Sequence, residues 1–289
     1  PSSFDNISLK DIPTILPLLS QGEQEKLLAE LEHLARLKKQ KKAQTKFLDF
    51  VEQMWPTFIK GKHHARMAEA FERVVRGECK RLIVNMPPRH TKSEFASYLL
   101  PAWFLGQYPH KKVIQTSHTA ELAVGFGRKV RNLVDQDGYK AIFPNLHLSV
   151  DSKAAGRWNT SRGGDYFAIG VGGAVTGKGA DLLIIDDPHS EQEAALAESH
   201  PDIYDKTYEW YTSGPRQRLQ PGAAIVIVMT RWSMRDLTAK VLKSAAQRGG
   251  DEWEVIEFPA IMPSGVPVWP EFWSKTELDA LKEELPNSK

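Results

Sequence analysis

Residues 81–100 read RLIVNMPPRHTKSEFASYLL and predict a buried strand, a turn and a helix in immediate succession. The apolar residues 82–84 form the short, partly β-branched run that is typical of a parallel strand covered on both faces. After a proline-rich turn, Phe95, Tyr98 and Leu99 recur at helical spacing. The segment is therefore one strand–loop–helix unit of an α/β protein.

The turn ends on Lys92 and Ser93, and a lysine followed by a hydroxyl residue at a strand-to-helix junction indicates a phosphate-binding P-loop. In such a loop the lysine reaches the outer phosphates and the serine hydroxyl is a Mg²⁺ ligand. The usual pattern is G-x-x-x-x-G-K-[ST], and here Met86 and Thr91 stand at the two glycine positions. Thr91 must therefore adopt an ordinary φ angle or be strained.

Other residues of this loop are expected to complete the nucleotide site. Pro87 and Pro88 fix two φ angles, which can shape the loop without glycine. Arg89 can add a bidentate cation to the γ-phosphate. The predicted nucleotide contacts in the loop are Pro88, Arg89, His90, Thr91, Lys92 and Ser93.

The composition is that of an ordinary soluble globular protein, with 289 residues, 41% hydrophobic and 26% charged. The net charge of +2 is too small to indicate nucleic acid by itself. The single cysteine, Cys79, excludes an internal disulfide framework and fits a reducing compartment. No secretory signal, membrane-spanning run, zinc-ligand spacing or G-x-S-x-G elbow is visible, so we expect a cytoplasmic protein.

Strands and helices alternate along the chain, which predicts a mainly parallel sheet with helices on both faces. The further predicted strands are 113–116, 166–170, 182–185, 223–229 and 253–258. The further predicted helices are 23–42, 46–55, 64–76, 119–134, 191–198, 202–212 and 237–247. We predict no structure for residues 1–21, and loops or short excursions for 135–165. The expected organisation is a helical extension over 1–50 and a P-loop domain over 51–289.

A second stretch matches the phosphate-loop pattern more closely. Residues 172–179, GGAVTGKG, satisfy G-x-x-x-x-G-K. However, Gly179 offers no hydroxyl, and a strand rather than a helix follows. We therefore predict the phosphate site at 86–93, and place Lys178 at the edge of a flexible loop that leads into a catalytic strand.

Two other strand ends carry polar residues. The apolar run 182–185 ends in Asp186 and Asp187, which matches a Walker B strand whose first acid holds Mg²⁺ and whose second orients or deprotonates water. A strand capped by an Asx turn is the alternative reading. Thr230 follows the strongest predicted strand, where it can contact the γ-phosphate or its water, although a plain strand terminus is also open.

Together these segments resemble the N-terminal ATPase motor of the large terminase subunit of tailed bacteriophages. The resemblance covers roughly residues 45–289. It rests on MPPRHTKS (86–93), GVGGAVTGKGADLLIIDDP (170–188) and IVIVMTRW (225–232), with WPTFIKGKHH (55–64) and PAWFLGQYP (101–109) in support. It implies an ASCE-type P-loop sheet, ATP and Mg²⁺ as cofactors, and ATP hydrolysis that drives double-stranded DNA into a procapsid. The implied partners are double-stranded DNA, the portal and procapsid, and a small terminase subunit, in the host cytoplasm and with no membrane. Further copies of the chain are implied to form a ring, a pentamer, when assembled, with a monomer in isolation as the alternative.

The resemblance also implies roles for individual residues. The catalytic group is Lys92, Asp187, Arg89, Thr230 and Lys178, and the metal ligands are Ser93 and Asp186. Asp187 stands where many relatives carry glutamate, and its side chain is one methylene shorter, so the attacking water must lie closer to it or the loop must advance. His64 lies near the position of an adenine-contacting glutamine, with an ordinary surface histidine as the alternative.

A basic residue acting in trans is also implied. Relatives often carry an arginine where this chain has Thr176. Lys178, Arg128, Arg157 or Arg162 are the candidates to replace it, and such a finger can be worth roughly 10³–10⁵ in rate.

Two rival functions stay open at this point. One is another DNA-tracking P-loop ATPase of the helicase type, and the other is a non-catalytic DNA- or capsid-binding module with a degenerate P-loop. No nuclease domain is expected within the 289 residues. DNA contacts are predicted for the basic residues at 128–131 and 38–42, although the 38–42 run is also readable as a solvated helix end.

Overall fold

The computed structural model describes residue 10, residues 12–151 and residues 154–284. Its centre is a seven-stranded sheet in the order β3-β4-β2-β5-β6-β1-β7. The strands are β1 (Arg81–Asn85), β2 (Lys112–Ser117), β3 (Arg157–Asn159), β4 (Asp165–Gly170), β5 (Ala180–Asp186), β6 (Leu219–Met229) and β7 (Glu254–Glu257). All neighbours are parallel except the edge pair β3–β4, which is antiparallel. The predicted α/β class with a mainly parallel sheet is confirmed.

Helices cover both faces of this sheet. Their bounds are α1 (Ile12–Ile15), α2 (Gln21–Thr45), α3 (Phe47–Met54), α4 (Lys62–Val75), α5 (Leu100–Gln107), α6 (Ala120–Val134), α7 (Asp137–Ile142), α8 (Glu191–Leu196), α9 (Asp202–Ser213), α10 (Leu237–Arg248) and α11 (Lys275–Glu284). Short 3₁₀ turns lie at Leu16–Leu18 and Pro215–Arg218, and Glu94–Leu99 is π-helical. None of the described helices is long and apolar enough to cross a bilayer.

The sequence prediction located these elements with few exceptions. Within 135–165, predicted as loops or short excursions, the structure has α7 and β3. The first long helix is longer than predicted, Gln21–Thr45 in place of 23–42. In the segment 1–21, residues 1–9 and 11 lie outside the described residues, and α1 occupies part of the rest.

Alternating residues of the central strands feed two separate hydrophobic cores. Leu82 and Val84 of β1 face one core, and Ile83 faces the other. Ile185 and Ile227, from the neighbouring strands β5 and β6, join Ile83. Burial on both faces explains why these strands are continuous apolar runs.

The end of the predicted N-terminal extension belongs to the main core. Phe47 in α3 is fully buried, and its ring lies 5.7 Å from that of Phe71, 5.7 Å from Phe95 and 5.4 Å from Trp103. Its backbone N–H donates to the carboxylate of Glu72 at 2.9 Å. The core therefore runs across residue 50, where the domain boundary was predicted.

This packing predicts that Phe47→Ala destabilises the whole domain. Loss of a fully buried aromatic ring should lower the free energy of unfolding by about 3–5 kcal/mol. Urea unfolding followed by circular dichroism measures the change, and Leu34→Ala on the exposed face of α2 is the control. If Phe47→Ala affected only a minor, separate transition, the shared core would be contradicted.

Candidate functional site

Three polar segments meet at one edge of the sheet. β1 pairs with β6 so that Asn85 lies opposite Met229, and β5 pairs with β6 so that Asp186 lies opposite Val228. The strands are parallel, so their carboxyl ends share this edge, which is where open α/β sheets bind ligands. The 86–93 loop, the Asp186–Asp187 pair and Thr230 follow these strand ends and come together there.

Side chains bridge the 86–93 loop to the end of β5. The ammonium group of Lys92 lies 2.8 Å from Oδ2 of Asp187, and only 6% of the lysine side chain is exposed. The hydroxyl of Ser93 donates to Oδ1 of Asp186 at 2.9 Å. Each of the two loop residues therefore contacts one of the two adjacent carboxylates.

Asp186 is the more deeply buried of these acids, with 2% of its surface exposed. Burial, and then the neighbouring charge of Asp187, raise the pKa of Asp186 well above its ordinary value. Ser97 donates to its Oδ2 at 2.8 Å and counteracts part of this shift. Ser97 lies four residues after Ser93, so both hydroxyls reach the same carboxylate from one helical face.

The donor set at this point fits Mg²⁺. A hydroxyl oxygen and a buried carboxylate, Ser93 and Asp186, lie in contact, and hard oxygen donors together with substrate phosphates are what Mg²⁺ prefers. Among the described residues no cluster of three or more His, Cys, Asp and Glu side chains could hold a metal alone. Water and phosphate oxygens would complete the coordination.

Asp187 links β5 to the end of β6. Its Oδ1 accepts the backbone N–H of Thr230 at 2.8 Å, while Oδ2 is paired with Lys92. The backbone of Asp187 has a φ angle of +40°, which is rare for a non-glycine residue. The hydroxyl of Thr230 faces the carbonyl of Met86 at 3.4 Å, so Thr230 also touches the start of the 86–93 loop.

The backbone of the 86–93 loop is strained. The lack of a glycine before Lys92 predicted either an ordinary φ angle at Thr91 or a strained one, and the structure has the strained one. Thr91 has a φ angle of +71° and Arg89 one of +57°. Such an angle is an outlier for a β-branched residue such as Thr91. The side chain of Arg89 is exposed. The next residue, His90, is buried, and its Nδ1 donates to the carbonyl of Pro88 at 2.8 Å.

His64 was predicted either to contact adenine or to lie on the surface, and the structure places its ring in the interior. The ring is fully buried beneath the 86–93 loop, so it is not a surface histidine. Its Nδ1 accepts the backbone N–H of Gly61 at 2.8 Å, and its Nε2 lies 2.8 Å from the hydroxyl of Thr91. Both ring nitrogens are engaged and the residue has no exposed surface, so His64 offers no free polar atom to an adenine ring in this structure.

Lys178 lies at the opposite edge of the sheet from the other predicted catalytic residues. Its ammonium group pairs with Asp165 at 2.7 Å, where β4 and β5 begin. β5 spans about 23 Å, which separates Lys178 from Asp186 in the same chain. The 172–179 stretch connects the carboxyl end of β4 to the amino end of β5. A strand and not a helix therefore follows Lys178, as predicted.

The other candidates for a trans-acting finger are surface residues. Arg128, Arg157 and Arg162 are all exposed, and so is the position of Thr176.

A cleft of about 330 Å³ lies beside the acids. It is lined by residues of the 86–93 loop and of the ends of β2, β5 and β6, among them Pro88, Ser93, Ser117, Asp186, Asp187 and Thr230. A larger groove of about 720 Å³, lined by Tyr211, Arg216 and Asp251 among others, lies near the amino ends of β6 and β7 and contains none of the predicted site residues.

Sequence reasoning missed two supporting residues. Ser97 could have been found from its spacing to Ser93. Asp236 caps the N-terminus of α10 and accepts the N–H of Trp232 at 3.1 Å and the guanidinium of Arg231 at 2.9 Å. An aspartate directly before a helix is a general signal for a cap, but nothing in the sequence connects it to the segment after β6.

Comparison with known structures identifies the fold. The structure of the HK97 bacteriophage large terminase superposes with a TM-score of 0.52 at 12% identity, over 83% of this chain and 51% of that one. This chain has the fold of a phage large terminase. It spans about half the length of that protein. The large terminase of a thermophilic bacteriophage, solved with ADP, gives a TM-score of 0.43 at 9% identity over 76% of this chain and 50% of that one, too low to support an argument. No protein-family model and no curated protein matches the sequence.

The buried imidazole of His64 predicts a pH dependence of stability. Burial, and then the neighbouring ring of His63, lower the pKa of His64 to about 3. Because the unfolded histidine binds a proton near pH 6.5 and the folded one does not, its contribution is complete above pH 6.5 and is lost as the pH falls towards 3. His64→Gln should therefore make the loss of stability shallower by up to about 1.4 kcal/mol per pH unit between pH 6 and 4.

Urea unfolding at a series of pH values measures this slope. His33→Gln, at an exposed position on α2, is the matched control and should keep the wild-type slope. An identical slope for His64→Gln and wild type would show that His64 protonates as readily in the folded protein as in the unfolded one.

Proposed function

We propose that this chain is a Mg²⁺-dependent ATPase and the motor part of a viral DNA-packaging machine. The observation that carries the proposal is the contact of Lys92 and Ser93 with Asp187 and Asp186, at 2.8 and 2.9 Å, between the ends of two parallel strands. A lysine and a hydroxyl at a strand-to-helix junction, facing two acids across the sheet, form the set that phosphoryl-transfer enzymes use. The shared fold with a phage large terminase supports the cellular role.

In this proposal ATP binding rearranges the charges of the site. The phosphates of ATP lie against the backbone N–H groups of the 86–93 loop and the start of the following helix. Lys92 exchanges Asp187 for the outer phosphates, which leaves one carboxylate oxygen of Asp187 available to orient the attacking water. Ser93 and Asp186 would hold the Mg²⁺ ion, which would supply charge neutralisation of the phosphates.

The same exchange offers a route for coupling to DNA movement. Asp187 holds the backbone N–H of Thr230, and Asp236 holds the N–H of Trp232, so the segment after β6 joins the acid to the start of α10. A change in the position of Asp187 therefore acts on Thr230 and on a helix beyond it. In this proposal Thr230 takes part in coupling.

The partners in this proposal are those of a packaging motor. They are double-stranded DNA, a portal and procapsid, a small terminase subunit and further copies of the chain in a ring, acting in the host cytoplasm. Within such a ring an exposed basic residue, Arg128, Arg157 or Arg162, of one copy would reach the γ-phosphate bound to the next. Lys178 could act in the same way only after leaving Asp165.

The first test is hydrolysis by site variants. Lys92→Ala and Asp186→Ala should each lower the Mg²⁺-dependent ATPase rate by at least about 10²-fold, because each removes a charge placed for the transition state. Phosphate release from purified protein measures the rate. Lys243→Ala, which removes an exposed lysine on α10, should keep the wild-type rate.

Equal rates in wild type and both site variants would refute the ATPase proposal. Nucleotide binding without hydrolysis in the wild type would favour the non-catalytic module, for which the engagement of both Asp187 oxygens and the strained Thr91 are the structural arguments.

A second test concerns DNA. The exposed Arg128 on α6 and the exposed Lys38 and Lys39 on α2 are proposed to contact phosphates. Arg128→Ala should lower the slope of log affinity against log salt by about 1, and the double variant of Lys38 and Lys39 by about 2. Binding of a fluorescent duplex at several salt concentrations measures the slope, with Lys243→Ala as the control. Unchanged slopes would exclude these residues as DNA contacts.

A further inference from the structure

Thr91 is a threonine in a backbone conformation that favours glycine. Thr91 precedes Lys92 and has a φ angle of +71°. A β-branched side chain in this region is strained and persists only where the surroundings hold it. The orientation of the next N–H groups depends on this one residue, because the backbone turns here into the helix. The structure must therefore contain a group that holds Thr91.

His64 meets that requirement by geometry. The backbone N–H of Gly61 donates to Nδ1 of His64 at 2.8 Å. That nitrogen is therefore an acceptor, so the neutral ring carries its proton on Nε2. Nε2 then donates to the hydroxyl of Thr91 at 2.8 Å, and that hydroxyl in turn donates to the carbonyl of His90 at 2.5 Å. Every donor in this chain of three hydrogen bonds has one acceptor.

The ring that supplies this hydrogen bond has little freedom to move. It is fully buried and stacks on Phe95 with centroids 5.0 Å apart and planes at 26°. Trp269 and Phe58 pack edge-on against it at 5.0 and 4.7 Å. Phe95 also donates its backbone N–H to the carbonyl of Thr91 at 3.0 Å, so the ring lies on the same turn that it supports.

The donor at the far end is fixed as well. A Cβ atom on Gly61 would approach Trp269 to 2.5 Å and His63 to 2.9 Å, so this backbone is packed against the same aromatic cluster. The lowered pKa of His64 keeps the imidazole neutral, which preserves one donor and one acceptor at ordinary pH.

We propose that His64 is a positioning residue that holds Thr91 in the left-handed conformation, and so lets the 86–93 loop bind the β- and γ-phosphates of a nucleoside triphosphate without a glycine before Lys92. The phosphate part of this inference rests on the proposed function. His64 touches neither the nucleotide nor the metal, and acts through the hydroxyl of Thr91.

The inference predicts that His64 matters only while residue 91 is threonine. His64→Ala should weaken the binding of MgADP by roughly 10-fold, as expected for a lost buried hydrogen bond together with a released strained residue. Thr91→Gly adopts the same φ without strain, so adding His64→Ala to Thr91→Gly should change the affinity by less than about 2-fold. Thr91→Val should resemble His64→Ala, and the two together should not be additive.

A conservative variant separates positioning from simple packing. In His64→Gln the amide oxygen can accept from Gly61 and the amide nitrogen can donate to Thr91. This variant should keep MgADP affinity within about 3-fold of wild type, whereas His64→Leu, which also fills space, should behave as His64→Ala. Isothermal titration calorimetry with MgADP measures all of these affinities.

The free energies of unfolding of the same variants are measured by urea unfolding without nucleotide. Their additivity tests the His64–Thr91 contact independently of the proposed function. Non-additive stabilities of His64→Ala and Thr91→Val support the contact, even if wild type binds no MgADP, and in that case only the phosphate role and the proposed function fail. Additive stabilities, or an equal loss of affinity on His64→Ala in the threonine and glycine backgrounds, would overturn the inference.

Discussion

The ion pair between Lys92 and Asp187 is the interaction on which the site depends. Two adjacent carboxylates at the end of β5 repel each other, and Asp186 is almost wholly buried, so a cation must lie nearby. Lys92 supplies it from the other side of β6, with 6% of its own side chain exposed. Removing one partner of such a pair leaves an uncompensated buried charge, which costs more than the pair itself contributes. The pair thus joins the 86–93 loop to β5 until a more highly charged ligand takes the place of Asp187 beside Lys92.

Backbone strain is concentrated at the same edge of the sheet. Among the described residues, the non-glycine positions with positive φ are Arg89, Thr91 and Asp187. All three lie in the turns that follow β1 or β5, where the chain must turn sharply to bring Lys92 and the acids together. Strained residues of this kind persist where surrounding contacts determine them, and they are concentrated at functional sites. His64 below Thr91, and Thr230 beside Asp187, supply those contacts.

The sequence was sufficient for the elements whose burial is continuous. β1, β5 and β6 are apolar on both faces, so their carboxyl ends, with Asp186 closing β5 and with Lys92 and Ser93 beyond β1, could be predicted from pattern to within a residue. β3 could not, because three residues carry no periodicity and its position depends on antiparallel pairing with β4. The helix after Ser93 was predicted, but its π-helical form was not. There Leu100 donates to the carbonyl of Phe95, one residue before Pro101, which has no N–H to donate.

The surroundings of residues that depend on tertiary contact could not be predicted from the sequence. His64 resembled a nucleotide contact because of its distance from the loop in sequence, and only the fold shows it buried beneath Thr91. Lys178 lies in a motif that matches well, but the connection from β4 carries it to the other edge of the sheet. A crystal structure of the protein with Mg²⁺ and a non-hydrolysable ATP analogue tests the role of the Lys92–Asp187 pair most directly. We expect the γ-phosphate against Lys92, with the lysine and Asp187 more than about 4 Å apart; an analogue bound away from the 86–93 loop, or an intact Lys92–Asp187 pair beside bound phosphates, would contradict it.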